Sequence, residues 1–406
     1  MKHSIIIAPV AACLAPVAQA QDIAITPLID TRLRFEHATH EGQPDPADAL
    51  TLRVRAGLEA KRGDFSIIAE TDATVAIIDR YNNFGLKAPT RPTVVDGEGV
   101  DLNRLQLQYR GLARTVVTAG RQRIAIDDER FIGPSLWRQN DQVFDALRIE
   151  ARPIAGVAID ATYAWNIRTI FGEDPPPTNP AGLPGEYYFA RAAVETPVGT
   201  LSGIAILVAP DSDLFFGGLG RTQTYGGSLA GAKPLGKVTA NYRLTYAHQR
   251  EWKDNPVPRE AAYYLAEGKL SWDGWQGVAG YEIRGVGSGG PLTSYQAFFS
   301  SAHNFVGFAD ILIPTPKQGA RQLYGEVARQ WKAVGPIDRI DARAIYRRFA
   351  NDIDGAHYGD EIDLIAVATI GRYAVLAKYA DFRASAPPPR VLTDTRKFWL
   401  SIEWRY

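Results

Sequence analysis

The amino-acid sequence predicts an all-β fold: a transmembrane, antiparallel, up-and-down β-barrel of about 18 strands, with short periplasmic turns and long extracellular loops. Three observations carry that expectation. Segment after segment alternates apolar and polar residues, the two-residue period of a strand with one oily and one wet face. The links between these segments alternate strictly between very short and long. The sequence then closes on Phe398, Leu400, Ile402, Trp404 and Tyr406 interleaved with Trp399, Ser401, Glu403 and Arg405, an apolar comb kept up to the last residue, where a soluble protein gains little.

Taken in order, residues 1–20 read as a cleaved signal peptide, and residues 21–406 as a single barrel domain. Lys2 provides positive charge, Ile5 to Val17 form an apolar stretch broken by Pro9 and Pro16, and Ala18-Gln19-Ala20 offers a small-x-small cleavage site. That stretch is shorter than the roughly 20 residues of a membrane-spanning helix. Val10-Ala11-Ala12-Cys13 is the rival, a lipoprotein-like cleavage box after a short apolar run. Cys13 is the one cysteine, so the mature chain would have no disulfide, catalytic thiolate or Cys-ligated metal.

The first strand sets Ile29, Leu33 and Phe35 against Asp30, Arg32, Arg34 and Glu36. The second sets Leu52, Val54, Ala56, Leu58 and Ala60 against Arg53, Arg55, Glu59 and Lys61, and a later one Leu105, Leu107 and Tyr109 against Arg104, Gln106, Gln108 and Arg110. Glu361-Ile362-Asp363-Leu364-Ile365-Ala366-Val367 is apolar on both faces for part of its length, and its facing stays open. Short links fall at 62–64, 111–113, 153–156, 197–199, 234–236, 273–275, 334–336 and 371, all rich in turn residues. Long ones run over 37–49, 81–99, 126–140, 168–185, 210–220, 251–259, 285–317, 351–358 and 384–393. A sandwich has no reason to put every tight turn at one end, whereas an outer-membrane barrel does.

Composition excludes other classes. Lysine plus arginine and aspartate plus glutamate both number 45, so no global field draws the chain to nucleic acid. After the leader no apolar run is long enough for a helical span, and a barrel stays this polar because only alternate residues meet lipid. The six histidines show no metal-ligand spacing, and Asp127-Asp128-Glu129 lacks the spacing of a calcium loop, so neither metal nor cofactor is expected.

Two stretches resemble a known family. Residues 120–150, from Gly120-Arg121-Gln122 through Asp127-Asp128-Glu129-Arg130-Phe131 to Trp137-Arg138-Gln139-Asn140 and Phe144-Asp145-Ala146, resemble the signature of the alginate export family of outer-membrane porins. Residues 300–326, with His303-Asn304-Phe305-Val306-Gly307-Phe308-Ala309-Asp310, look like a second loop of that family. The resemblance covers the mature chain and implies a bacterial outer-membrane channel, surrounded by lipid and exporting an acidic polysaccharide. The aromatic Tyr406 likewise resembles the C-terminal signal by which the barrel-assembly machinery recognises its clients.

The expected constriction is the loop of residues 126–140. Arg130, Arg138 and the wall residues Arg53, Arg55, Arg104, Arg121 and Arg123 offer guanidinium forks to carboxylates or sugar hydroxyls, and Asp127 and Asp128 orient them. The alternative is a loop held to the wall by its own ion pairs. Interleaved acids such as Asp30, Glu36, Glu70 and Asp72 make the lumen mixed, so the expected solute is a hydrophilic anionic saccharide or organic acid, taken up or exported by diffusion. No domain-sized segment precedes the first strand, so no plug is expected. The competing functions are an outer-membrane hydrolase built on Ser301 and His303, which lacks a G-x-S-x-G elbow, and a non-conducting scaffold or adhesin.

Overall fold

The computed structural model describes residues 23–83, 88–173, 175, 180–212, 220–255, 257–288, 293–385 and 392–406, so the expected signal peptide lies outside the described residues. Eighteen strands follow one another: β1 Ala24–His40, β2 Ala47–Arg62, β3 Phe65–Arg80, β4 Gly99–Leu112, β5 Thr115–Gln122, β6 Val143–Ala151, β7 Val157–Arg168, β8 Gly182–Thr196, β9 Gly199–Pro210, β10 Thr222–Leu235, β11 Val238–Glu251, β12 Glu260–Trp272, β13 Trp275–Arg284, β14 Ala320–Val334, β15 Ile337–Ala350, β16 His357–Ile370, β17 Tyr373–Ala384 and β18 Thr395–Arg405. Each pairs antiparallel with the next, and β18 returns to β1 in a ladder from Asp30↔Arg405 to His40↔Thr395. Closure leaves no edge, the condition for a sheet to sit in lipid, where an unpaired peptide group has no water to bond.

The tight turns all fall at one end, and the connections at the other end are L1 (41–46), L2 (81–98), L3 (123–142), L4 (169–181), L5 (211–221), L6 (252–259), L7 (285–319), L8 (351–356) and L9 (385–394). The outer face carries the apolar half of each dyad: Leu33, Val54, Leu105, Leu107, Leu400 and Ile402 are exposed to the surroundings. Aromatic rings band both rims of that face. Phe65, Trp272, Trp331, Tyr373 and Tyr406 stand near the short turns, and Trp165, Tyr188, Tyr225, Tyr264 and Tyr346 near the loops. Such girdles place amphipathic rings at the two membrane interfaces.

The inner face is where the structure adds most. Toward the loop end it turns apolar, and loops fill the space it encloses. Ile124, Ile126 and Ile132 of L3, with Phe299 of L7, pack on Phe144, Ala164, Tyr187, Phe189 and Val208 of β6–β9. Val306, Phe308 and Leu312 of L7 pack on Ile345, Phe349, Ala380, Phe382 and Trp399 of β15–β18. Val94 of L2 and Tyr295 of L7 cover two smaller patches. The barrel therefore has lipid outside and a hydrophobic core inside its outer half, which explains why the 361–367 segment reads as apolar on both faces.

Candidate functional site

L3 is the organising element, and its sequence states why. Its base is tied across itself by Arg123, just past the end of β5, whose Nε donates to Asp141 Oδ2 at 2.5 Å and whose Nη2 donates to Glu70 at 3.0 Å. Asp141 is fully buried and also accepts from Arg55 Nη2 at 2.6 Å, while Arg55 Nε donates to Asp72 at 2.5 Å. Beyond this base the loop's carbonyls are collected by the wall. Arg32 Nη1 donates to the carbonyls of Leu136, Trp137 and Arg138, each at 3.2 Å, and Arg34 Nη1 to that of Trp137 at 2.5 Å. Arg34 is held in turn by Asp96 of L2, and Arg53 by Asp30 and Glu403. Inward-pointing arginines of β1 and β2 thus do for an irregular loop what a neighbouring strand does for a ladder: they satisfy its backbone.

The other limb of L3 crosses the lumen. Asp127 accepts from Arg191 of β8 at 2.6 Å. Arg130 reaches Asp128 at 3.0 Å, Glu267 of β12 and Glu282 of β13 at 3.3 Å each, and lies 4.4 Å over the ring of Phe305. Arg138 pairs with Asp310 of L7 at 2.8 Å. Burial disfavours the Arg130 and Arg138 charges, and the acids around them more than offset it, so both are raised above the usual guanidinium value. L3 and L7 meet where Gly133 N donates to Phe299 O at 2.8 Å and Ser301 N to Glu129 O at 3.0 Å. A side chain at position 133 would lie 2.4 Å from Ser301 Oγ, so only glycine lets the loops pass.

The expected residues therefore divide by exposure. Arg53, Arg55, Arg130 and Arg138 are buried in loop packing. Arg104, Arg123, Asp127 and Asp128 remain partly open to the lumen. Arg121 does not line it: it stands opposite the outward-facing Leu105 and alternates with the buried Gln122, so its pair with Asp145 lies on the other face of the wall. Sequence reading missed Arg148, Arg168, Arg191 and Arg243: Arg148 pairs with Asp160, Arg168 with Asp101, Arg191 with Asp127 and Arg243 with Asp128. For Arg148, Arg191 and Arg243 the available signal was the dyad itself, since each sits at an inward position of its strand; Arg168 alternates with the core residue Ile167 and takes the other face at the end of β7. Arg104 and Arg123 use Nε and Nη2 for their acids and leave Nη1 without a bond among the described residues. Cavities of about 560 Å³, between L2, L3, L4 and L7, and about 670 Å³, at the turns near Arg114, Arg152 and Gly156, lie toward the two ends of the lumen.

The hydrolase alternative is not assembled. Ser301 Oγ donates to Glu129 at 2.5 Å. His303 has both ring nitrogens engaged, Nδ1 with Asp310 at 2.8 Å and Nε2 with the ammonium of Lys378 at 2.6 Å. Nucleophile and base do not face each other.

A closed barrel with a lipid-facing exterior, two aromatic girdles and a charged lumen narrowed by inward loops defines a bacterial outer-membrane protein with a porin's architecture. No protein-family model matches the chain, and no curated protein matches it in sequence. Solved structures do. OpdO of Pseudomonas aeruginosa is similar at a TM-score of 0.67 and 12% identity, over 94% of this chain and 97% of that one. A BenF-like porin from Pseudomonas fluorescens Pf-5 gives 0.67 and 11%, over 94% and 99%, and OpdK of P. aeruginosa, solved with vanillate, gives 0.63 and 13%, over 94% and 98%.

These matches overturn the alginate export resemblance: the similar barrels are of the Opd and Occ type, and no alginate export model matches. The physical reason lies in what the quoted motif does here. Trp137, Arg138, Gln139 and Phe144 are spent on docking L3 to wall and loop, so the motif records how a loop is folded into a barrel and not which solute passes it.

Proposed function

We propose that the protein is a diffusion channel for small organic acids. The supporting observation is the set of lumen arginines on β4, β6 and β8, Arg104, Arg148 and Arg191, each held by a carboxylate yet still partly open. Paired in this way, a guanidinium keeps its orientation and its charge without presenting a bare cation that would trap an anion. A solute carboxylate can accept from a free edge, such as Nη1 of Arg104 or Arg123, and pass on. Filling of the outer lumen by L2, L3 and L7 favours a small solute over a polymer.

The test is reversal potential in a salt gradient across a planar bilayer, with vanillate or benzoate as permeant anions. The reading expects anion preference and carboxylate permeation, both reduced in Arg104→Gln with Arg123→Gln. Cation preference in the unaltered protein would sink it.

A further inference from the structure

We propose that Arg114 and Arg152 form an anion-binding station at the periplasmic mouth, where a permeating carboxylate pauses before release. This rests on the anion-channel reading and goes beyond it, because these arginines belong to turns and not to the lumen wall.

Arg114 lies in the turn between β4 and β5, and Arg152 in the link between β6 and β7. The amide of Arg152 donates to the carbonyl of Arg114 at 2.9 Å, which fixes the two backbones side by side. Both line the periplasmic cavity of about 670 Å³, together with Arg191, Glu195 and the small side chains Ala158 and Ala193. Alanines on adjoining strands leave a recess in the inner wall, and the arginines stand at its rim.

Ion pairing sets these two apart. Arg104, Arg148 and Arg191 on the lumen wall above each have a carboxylate partner, whereas neither Arg114 nor Arg152 forms an ion pair among the described residues. Arg191 stands opposite Asp160 in the β7–β8 register and Val194 opposite Val157, so Arg191 lies three residues above the first residue of β7, roughly 10 Å at strand spacing. One small carboxylate does not bridge that gap, so Arg191 and the turn arginines act as successive stops. An anion leaving Arg191 must compete with Asp127 there, and then meets two guanidinium groups with no acid to displace.

The experiment adds citrate to one side at a time of oriented channels and reads current block, in the unaltered protein, in Arg114→Gln with Arg152→Gln, and in the paired lysine variant. Expected is block from the periplasmic side that weakens about fivefold in the glutamine variant, the size of an exposed charge pair. Block from the extracellular side should stay as it was, and the lysine variant should recover part of the periplasmic block. Equal periplasmic block in the glutamine variant would overturn the station while leaving the anion channel intact. No block from either side of the unaltered protein would overturn both.

Discussion

The imidazole of His303 lies flat on the indole of Trp137, their ring centroids 4.7 Å apart and their planes 4° from parallel, although one belongs to L7 and the other to L3. Phe308 stacks near the opposite side of the imidazole at 5.3 Å, and the Lys378 ammonium sits 3.9 Å from the Trp137 ring centroid. Asp310, His303 and Lys378 form one hydrogen-bonded line from loop to wall. This is the latch by which the two inward loops hold each other. His303→Ala removes the stacked ring and leaves the Lys378 ammonium without its acceptor, so L7 should loosen by a few kcal/mol. The expected result is noisier single-channel current with faster proteolysis within 285–319, and quiet current in that variant would remove the latch.

Acid should weaken the same contact. Burial drives the His303 pKa well below its ordinary 6.5, which outweighs the attraction of Asp310. The unfolded histidine then binds a proton that the folded one refuses, so its contribution is complete above about pH 6.5 and is lost as pH falls below that value, at about 1.4 kcal/mol per unit. Asp310 does not cancel this. Burial raises it, but His303, Arg138 and Lys397 pull it well below 3.8, so its support persists until the pH is far lower. Hydrogen exchange of L7 amides should accelerate between pH 7 and 5 beyond the intrinsic rate, and should lose that excess in His303→Gln.

Asp141→Asn should be the costliest single change in L3. Its carboxylate is fully buried between Arg55 and Arg123. Removing the charge takes from each of Arg55 and Arg123 one of its two carboxylates, leaving Asp72 and Glu70, and costs about 3 kcal/mol, the low end for a broken buried pair. A lower temperature for the heat-induced gel shift of the folded barrel checks this, together with a larger conductance as the loop base opens. Glu70, which also holds Arg104 and Arg123, should show a smaller effect when changed to Gln, because Asp141 still secures Arg123.

Tyr406 gives a different readout. Its amide donates to Ile29 O at 3.0 Å, its ring is turned outward, and Arg372 lies 4.5 Å from the ring centroid. Tyr406→Ser keeps this backbone hydrogen bond and removes only an exposed ring, so it should barely alter refolding in detergent. Assembly in cells should fall several-fold in Tyr406→Ser if the machinery reads the terminal aromatic. Equal assembly would assign Tyr406 to the girdle alone.

The barrel was legible because lipid enforces a strict period. Leu33, Val54 and Leu400 face out while Arg32, Arg53 and Ser401 face in, as two-residue alternation requires. The eight tight links and nine long connections also fell where turn residues placed them. The interior was less legible, since burial inside the outer half depends on which loops fold back. Nothing local to Phe349 or Phe382 announces that Phe308 will cover them. Likewise Arg32 and Arg34 were recognisable as inward residues but not as holders of a loop more than 100 positions away. Loop charge density marked 127–141 as special, yet Arg191 and Arg243, the partners of Asp127 and Asp128, come from β8 and β11, with nothing near them in sequence to link them to that loop.

The ladder between β1 and β18 also has a meaning in time. Arg405 Nε donates to Asp30 Oδ2 across 375 positions of sequence. Until that seam forms, the sheet has two open edges that lipid cannot satisfy. The strand emerging first from the ribosome must therefore wait, unpaired on one side, for the strand emerging last. For all that interval the edge of β1 stays open, so the first strand made is also the last to have its backbone satisfied on both sides.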